Sequence, residues 1–208
     1  MTAPLPANFN HPKKGSSIKV EPIRDLKAIK QIKKLLKDKP RDLCLFTLGI
    51  NTAYRANELL SITVGQVAHL EAGDRFELKQ SKNNKYRPVR LNRTVILAIR
   101  AWLKVHPNPV PEAPLFPSQK GGVPLLVSTV NNLVKNWCAQ INLKGNYGSH
   151  TLRKTWGTHR LRYERGKKNP LHIMPLLMEA FGHSSQAQTL EYLCIESDEI
   201  ASLYDMEL

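Results

Sequence analysis

Apolar residues recur at helical spacing through most of this chain, and one place alone breaks the rhythm with two short alternating runs. Between Arg24 and Lys39, Leu26, Ile29, Ile32, Leu35 and Leu36 share one helical side, while Lys27, Lys30, Lys33, Lys34 and Lys37 take the others. Leu43 to Ile50 is so uniformly apolar that it reads as a buried helix, and Leu59, Leu60, Ile62 and Val67 extend the same core beyond a turn near Asn51. Helical patterns resume at Thr94 to Val105, Ser128 to Gln140, Thr151 to Tyr163, Leu171 to Phe181, Gln186 to Tyr192 and Asp198 to Tyr204. The exception is Arg75 to Gln80 with Tyr86 to Leu91, two strands around Ser81-Lys82-Asn83-Asn84-Lys85, where the asparagines tolerate a turn. Six prolines and two glycines between His106 and Pro124 predict an extended surface loop. The expected fold is therefore mainly α with a small antiparallel β-hairpin, an α+β arrangement.

A chain of 208 residues, 41% hydrophobic, supports one substantial core. The expected organisation is a flexible arm over residues 1–20, rich in proline and poor in apolar residues, then one domain over 21–208 that includes a terminal helix at about 195–208. No internal repeat is present. Lys and Arg number 31 against 17 acidic residues, a net charge of +14, which favours a phosphate-rich partner, with Lys13 and Lys14 of the arm among the groups that could touch it. Cys44, Cys138 and Cys194 form no metal-spaced pair, so the expectation is a reducing cytoplasm with no metal and no cofactor. The opening residues lack a basic segment followed by an apolar run, and no stretch is long enough to cross a bilayer.

Six residues stand out in order: Arg55, Lys82, His150, Arg153, His183 and Tyr192. Four of them fall in two short stretches, His150-Thr151-Leu152-Arg153 and Gly182-His183-Ser184-Ser185 followed by Tyr192, and together they describe a metal-free phosphoryl-transfer site with a tyrosine nucleophile. Each also has an ordinary role when taken alone. Arg55 can pair with Glu58 on one helix face, Lys82 can be a solvated turn residue among Lys79, Lys85 and Arg87, and Tyr192 can be a packing residue. His69, His106, His159 and His172 match no motif, and Trp102, Trp137 and Trp156 read as core.

From about Glu21 to the C-terminus these residues resemble the tyrosine recombinase family, also called phage integrases. Thr52-Ala53-Tyr54-Arg55-Ala56-Asn57-Glu58 resembles the first arginine box of the family, and Gln80-Ser81-Lys82-Asn83-Asn84 the hairpin that carries its lysine. His150-Thr151-Leu152-Arg153-Lys154-Thr155 resembles the second box, and Phe181-Gly182-His183-Ser184-Ser185 with Tyr192 the third. Ala53 stands where glycine is usual, and Lys154 where histidine is common. Members generally carry an N-terminal core-binding domain, whereas about twenty residues precede the pattern here. The resemblance implies the catalytic-domain fold of the family, a double-stranded DNA partner, and a DNA-bound homo-tetramer joined through the C-terminal helix, with accessory DNA-bending proteins possible in such systems.

The chemistry follows from the residue types. A phenol with pKa near 10 is about a thousandth ionised at neutral pH and needs a base, for which His150 is the candidate. Attack on a phosphodiester charges its non-bridging oxygens, which the guanidiniums of Arg55 and Arg153 can clamp. His183 donates to the same phosphate, and Lys82 at a hairpin tip protonates the departing 5′ oxygen. The resulting 3′-phosphotyrosyl link conserves the bond energy, so a second 5′ hydroxyl reverses the attack and strands are exchanged. Two other readings share some of these residues: a type IB topoisomerase, disfavoured by His150 and Gly182-His183-Ser184-Ser185, and an idle DNA-binding module derived from an integrase.

Overall fold

The computed structural model describes residues 19–79, 86–119, 121–167 and 172–195. Its elements run α1 (Leu26–Leu35), α2 (Pro40–Thr52), α3 (Ala56–Leu60), α4 (Val64–Val67), β1 (Arg75–Lys79), β2 (Tyr86–Arg90), α5 (Arg93–Leu103), α6 (Val127–Gln140), α7 (Ser149–Arg165), α8 (Ile173–Phe181) and α9 (Gln186–Tyr192). The architecture is mainly helical with one antiparallel pair, as the periodicities predict. The hairpin tip with Lys82, the expected helix after Ile195 and all but the last two residues of the expected arm lie outside the described residues.

α2 is the central element because it is apolar on nearly every side, and it packs between α5 and α7. Cys44, Leu45, Phe46 and Leu48 are fully or almost fully buried along it, and Trp137 of α6 meets Phe46 edge-on at 5.8 Å. At Gly49 a Cβ would stand 2.6 Å from Leu152 Cδ1, so the missing side chain is what lets α2 and α7 approach. α1 starts at Asp25, whose carboxylate accepts from the Lys27 amide at 2.7 Å, and it buries Ala28, Ile29 and Ile32 while Leu26 at its first turn is exposed.

The strands pair Phe76 with Val89 and Leu78 with Arg87, which turns one face of the hairpin inward. The proline-rich segment departs from the surface loop expected. Proline prevents a helix there but does not prevent burial: the Leu115 amide donates to Ile62 O at 2.8 Å, the Leu125 amide to Phe116 O at 2.9 Å, and Leu115 and Phe116 are fully buried. Trp102 Nε1 donates to Leu115 O at 2.6 Å, and His106 Nε2 lies 3.1 Å from Pro114 O, so both rings fasten the segment to the core.

A second, smaller apolar cluster joins Ala53, Leu161, Leu177, Phe181 and Leu193, with Trp156 and Tyr192 packed on it. It supports the site described next. Among the described residues no helix is long and apolar enough to cross a membrane.

Candidate active site

The site begins where α2 ends. Ala53 adopts a left-handed conformation, φ 57°, and is buried, so the chain reverses abruptly into Tyr54 and Arg55. An L-residue pays roughly 1–2 kcal/mol for that conformation, the physical reason a glycine suits this position. Arg55 starts α3, with its amide donating to Glu58 Oε2 at 2.7 Å and Nη1 to Oε1 at 2.8 Å. Glu58 is 2% exposed and takes a second guanidinium, Arg87 Nη2 at 2.6 Å from Oε2. Burial would raise the carboxyl's pKa, but the Arg55 amide and the Arg87 and Arg55 guanidiniums outweigh it and hold the group below its ordinary value.

α7 supplies the next two residues. His150 and Arg153 are three apart in its first turns and therefore share a face. Arg153 is 2% exposed, its guanidinium 5.0 Å from the Phe181 ring, and Nη2 donates to Phe181 O at 2.8 Å and Ala180 O at 3.5 Å. Arg55 Nη2 also reaches Phe181 O, at 3.4 Å, and Arg87 Nη1 reaches Ala180 O at 3.0 Å. Three guanidiniums thus converge on the last carbonyls of α8, where a helix concentrates negative partial charge. Arg153 Nη1 is buried with no hydrogen-bond partner among the described residues, a donor in want of an acceptor. Burial lowers the pKa of Arg153 to about 10, so it is still cationic at neutral pH.

Gly182 ends α8 in the left-handed region, φ 64°, and the His183 amide closes the turn onto Met178 O at 2.9 Å. That turn sets the His183 ring 5.0 Å from the Tyr192 ring, with Nδ1 3.1 Å from Thr189 Oγ1. α9 is seven residues long and delivers Tyr192 at its last position. Its hydroxyl lies 3.3 Å from His150 Nδ1. Burial pushes the phenol up to about 12, against the opposite pull of Arg153 and Arg55. His150 keeps an exposed edge, yet loss of water on its inner side, followed by the charges of Arg153, Lys154 and Arg55, lowers its pKa. The imidazole is thus neutral, and able to accept a proton, over a wider pH range than an exposed one. A cavity of about 340 Å³ opens over His150, His183 and Tyr192 and is walled by Lys19, Val20 and Lys154.

Of the six residues expected at the site, five are gathered here: Arg55, His150, Arg153, His183 and Tyr192. Lys82 lies outside the described residues. Arg87, one of the cations near Lys82 in the sequence, is 6% exposed and committed to Glu58, Ala180 and the face of Tyr54, 4.7 Å away. Strand alternation held the signal for it, since Arg87 shares the face of Val89 rather than that of Tyr86 and Pro88. Glu58 was visible at the right spacing from Arg55, but its second partner was not. Nothing in the sequence marks the Ala180 and Phe181 carbonyls.

The chain is similar to known proteins in the same way along most of its length. It is 30% identical over 186 residues to the probable integrase/recombinase YoeC of Bacillus subtilis, covering 89% of this chain and 95% of that one. It is 31% identical over 179 residues to the tyrosine recombinase XerC of Caldanaerobacter subterraneus, covering 83% of this chain and 48% of that one, so it spans about half of this relative. The fold matches that of XerA recombinase with a TM-score of 0.68 at 18% identity, over 89% of this chain and 65% of that one. It also matches XerH site-specific recombinase bound to its difH substrate, with a TM-score of 0.65 at 24% identity, over 91% and 55%. The pattern that defines phage integrases runs through residues 24–198, from ahead of α1 to beyond Tyr192, and the chain belongs to the phage integrase family.

Proposed function

We propose that this protein is a site-specific DNA recombinase that cleaves and rejoins double-stranded DNA through a 3′-phosphotyrosyl link to Tyr192. The observation that carries this reading is the 3.3 Å approach of the Tyr192 hydroxyl to His150 Nδ1, beside two buried or half-buried guanidiniums with an unmet donor on Arg153. His150 takes the phenolic proton as oxygen attacks phosphorus. Arg55 and Arg153 meet the charge that grows on the non-bridging oxygens, and both are pre-aimed by the α8 carbonyls and Glu58. His183, oriented by Thr189, adds a further donor on the Tyr192 side. Lys82 is assigned the protonation of the departing 5′ oxygen. The bond formed is Tyr192 Oη to phosphorus and the bond broken is phosphorus to the 5′ oxygen, so a later 5′ hydroxyl reverses the step without a cofactor. XerH is bound to its difH substrate and the Tn1549 transposon integrase to circular intermediate DNA, and DNA is the partner assigned here too. The working assembly is a homo-tetramer on DNA, joined through the C-terminal segment, and aided by DNA-bending proteins.

Covalent trapping tests this reading. Nicked duplexes tiled across the DNA flanking the gene are incubated with the protein and then denatured. Wild type forms a denaturant-resistant adduct that Tyr192→Phe does not. Specific binding without any adduct from wild type would favour an idle DNA-binding module.

A further inference from the structure

Among the described residues Lys154 is the one buried lysine, at 5% exposed, and the proposed chemistry gives it nothing to do. Its position on α7, one residue past Arg153, directs a long stem away from the phosphate donors and under the nucleophile. There Nζ donates to Val20 O at 2.8 Å and to Cys194 Sγ at 3.3 Å, and it lies 4.9 Å from the centre of the Tyr192 ring. A buried ammonium is costly unless its donors are used, and these partners come from two segments far apart in sequence. One is the chain that enters the domain, the other is the chain that leaves Tyr192.

Further contacts join the same two segments. Lys19 pairs with Glu191 at 2.7 Å, the Arg24 guanidinium donates to the Cys194 carbonyl, and Cys194 Sγ lies 3.5 Å from Val20 O. The entering segment is itself pinned to the domain body, through the Ile23 amide to Thr155 Oγ1 at 2.8 Å and the Glu21 amide to Asn146 O at 2.7 Å. Lys19 and Val20 also form a wall of the cavity over Tyr192. α9 by contrast is short, and only Thr189 is buried along it. A seven-residue helix is marginal by itself, so what it packs against sets the place of its last residue.

We infer that Lys154 is a positioning residue that straps residues 19–24 across the segment around Tyr192, and that this strap holds the phenol against His150. The inference rests on Tyr192 being the nucleophile. Because the strap is the stretch of chain through which anything N-terminal is attached, a pull or rotation there changes the presentation of Tyr192 directly.

The test uses the full chain with Lys154→Met, which keeps the stem and removes the charge, and Lys19→Glu, an exposed change that sets two acidic groups against each other. Two quantities are read: the rate of adduct formation on nicked duplex together with affinity for that duplex, and backbone hydrogen exchange over residues 186–195 without DNA. Lys154→Met is expected to slow adduct formation roughly 10- to 100-fold, the scale of a misplacement near 1 Å, while DNA affinity is kept. Exchange over 186–195 rises while α2 remains protected, and Lys19→Glu gives a smaller change of the same sign. Wild-type adduct rates in Lys154→Met, or unchanged exchange over 186–195, would overturn the inference. If Lys154→Met loses protection in α2 as well, Lys19→Glu decides by the same exchange measurement. If wild type itself forms no adduct, the reading of Tyr192 fails, and the exchange data still accept or reject the strap.

Discussion

Tyr192 and His150 present the residue-scale problem in its sharpest form. Burial pushes the phenol up to about 12, which leaves roughly one molecule in 10⁵ ionised at neutral pH. The proposed attack therefore depends on a base within reach, and His150 Nδ1 at 3.3 Å can serve only while its ring is neutral. Its inner side has lost water, and Arg153, Lys154 and Arg55 add positive charge, so its pKa lies below the ordinary imidazole value of 6.5. A lowered pKa keeps the base form present down to more acidic pH. The second-order rate of adduct formation, which reports the free enzyme, should fall with acid through a midpoint below 6.5, and a midpoint at or above that value would remove His150 from the role.

At the scale of elements, the site is a junction. Glu58 of α3, Arg87 of β2 and the last carbonyls of α8 meet within one hydrogen-bonded network, so the hairpin, α3 and α8 hold one another. Removing the shared carboxylate leaves Arg87 buried without its counter-charge. Glu58→Ala is expected to cost about 3–5 kcal/mol in denaturant unfolding. Because the folded pKa of Glu58 is depressed, its stabilisation is present above the unfolded value, near 4.5, and is lost as pH falls through the folded one. The stability gap between wild type and Glu58→Gln should accordingly narrow on acidification. A second junction lies under Tyr192, where a Cβ on Gly157 would stand 2.5 Å from Phe181 Cζ and 2.7 Å from Leu193 Cδ2. Overpacking there costs about 1–3 kcal/mol, against roughly 1 kcal/mol gained in helix propensity. Gly157→Ala should lower stability modestly and slow adduct formation more, since it displaces both the carbonyl that orients Arg153 and the residue after Tyr192.

Across the whole molecule, a net charge of +14 dominates encounter with DNA. Binding through six to ten phosphates gives a slope of about −5 to −9 for log affinity against log salt, measured by titration on duplex DNA. A slope near zero would show that the charge is not spent on phosphate contacts. The charge is unevenly committed: Arg87 and Lys154 are buried in the domain, while Arg90, Arg93 and Arg160 are exposed.

Local rules made the element order legible, because helical and strand periodicities repeat over a few residues and need no partner to be seen. The types and order of Arg55, His150, Arg153, His183 and Tyr192 were legible for a related reason: the chemistry of a phenol, an imidazole or a guanidinium belongs to the side chain itself. Leu115 and Phe116 show where such rules stop, since prolines announce an absent helix but not whether the apolar pair between them is buried. Strand alternation puts Arg87 on the inward face without naming its partner, and Lys154 is indistinguishable in sequence from a solvated cation. What separates them from their neighbours is Glu58 for one and Val20 with Cys194 for the other, residues 29, 134 and 40 positions away. Sequence by itself determined the fold class and the order of the candidate reactive groups. Only tertiary packing decided which cations stay exposed, which are bound within the domain, and which carbonyls hold them, because burial and hydrogen bonding depend on contacts between segments that no local pattern joins.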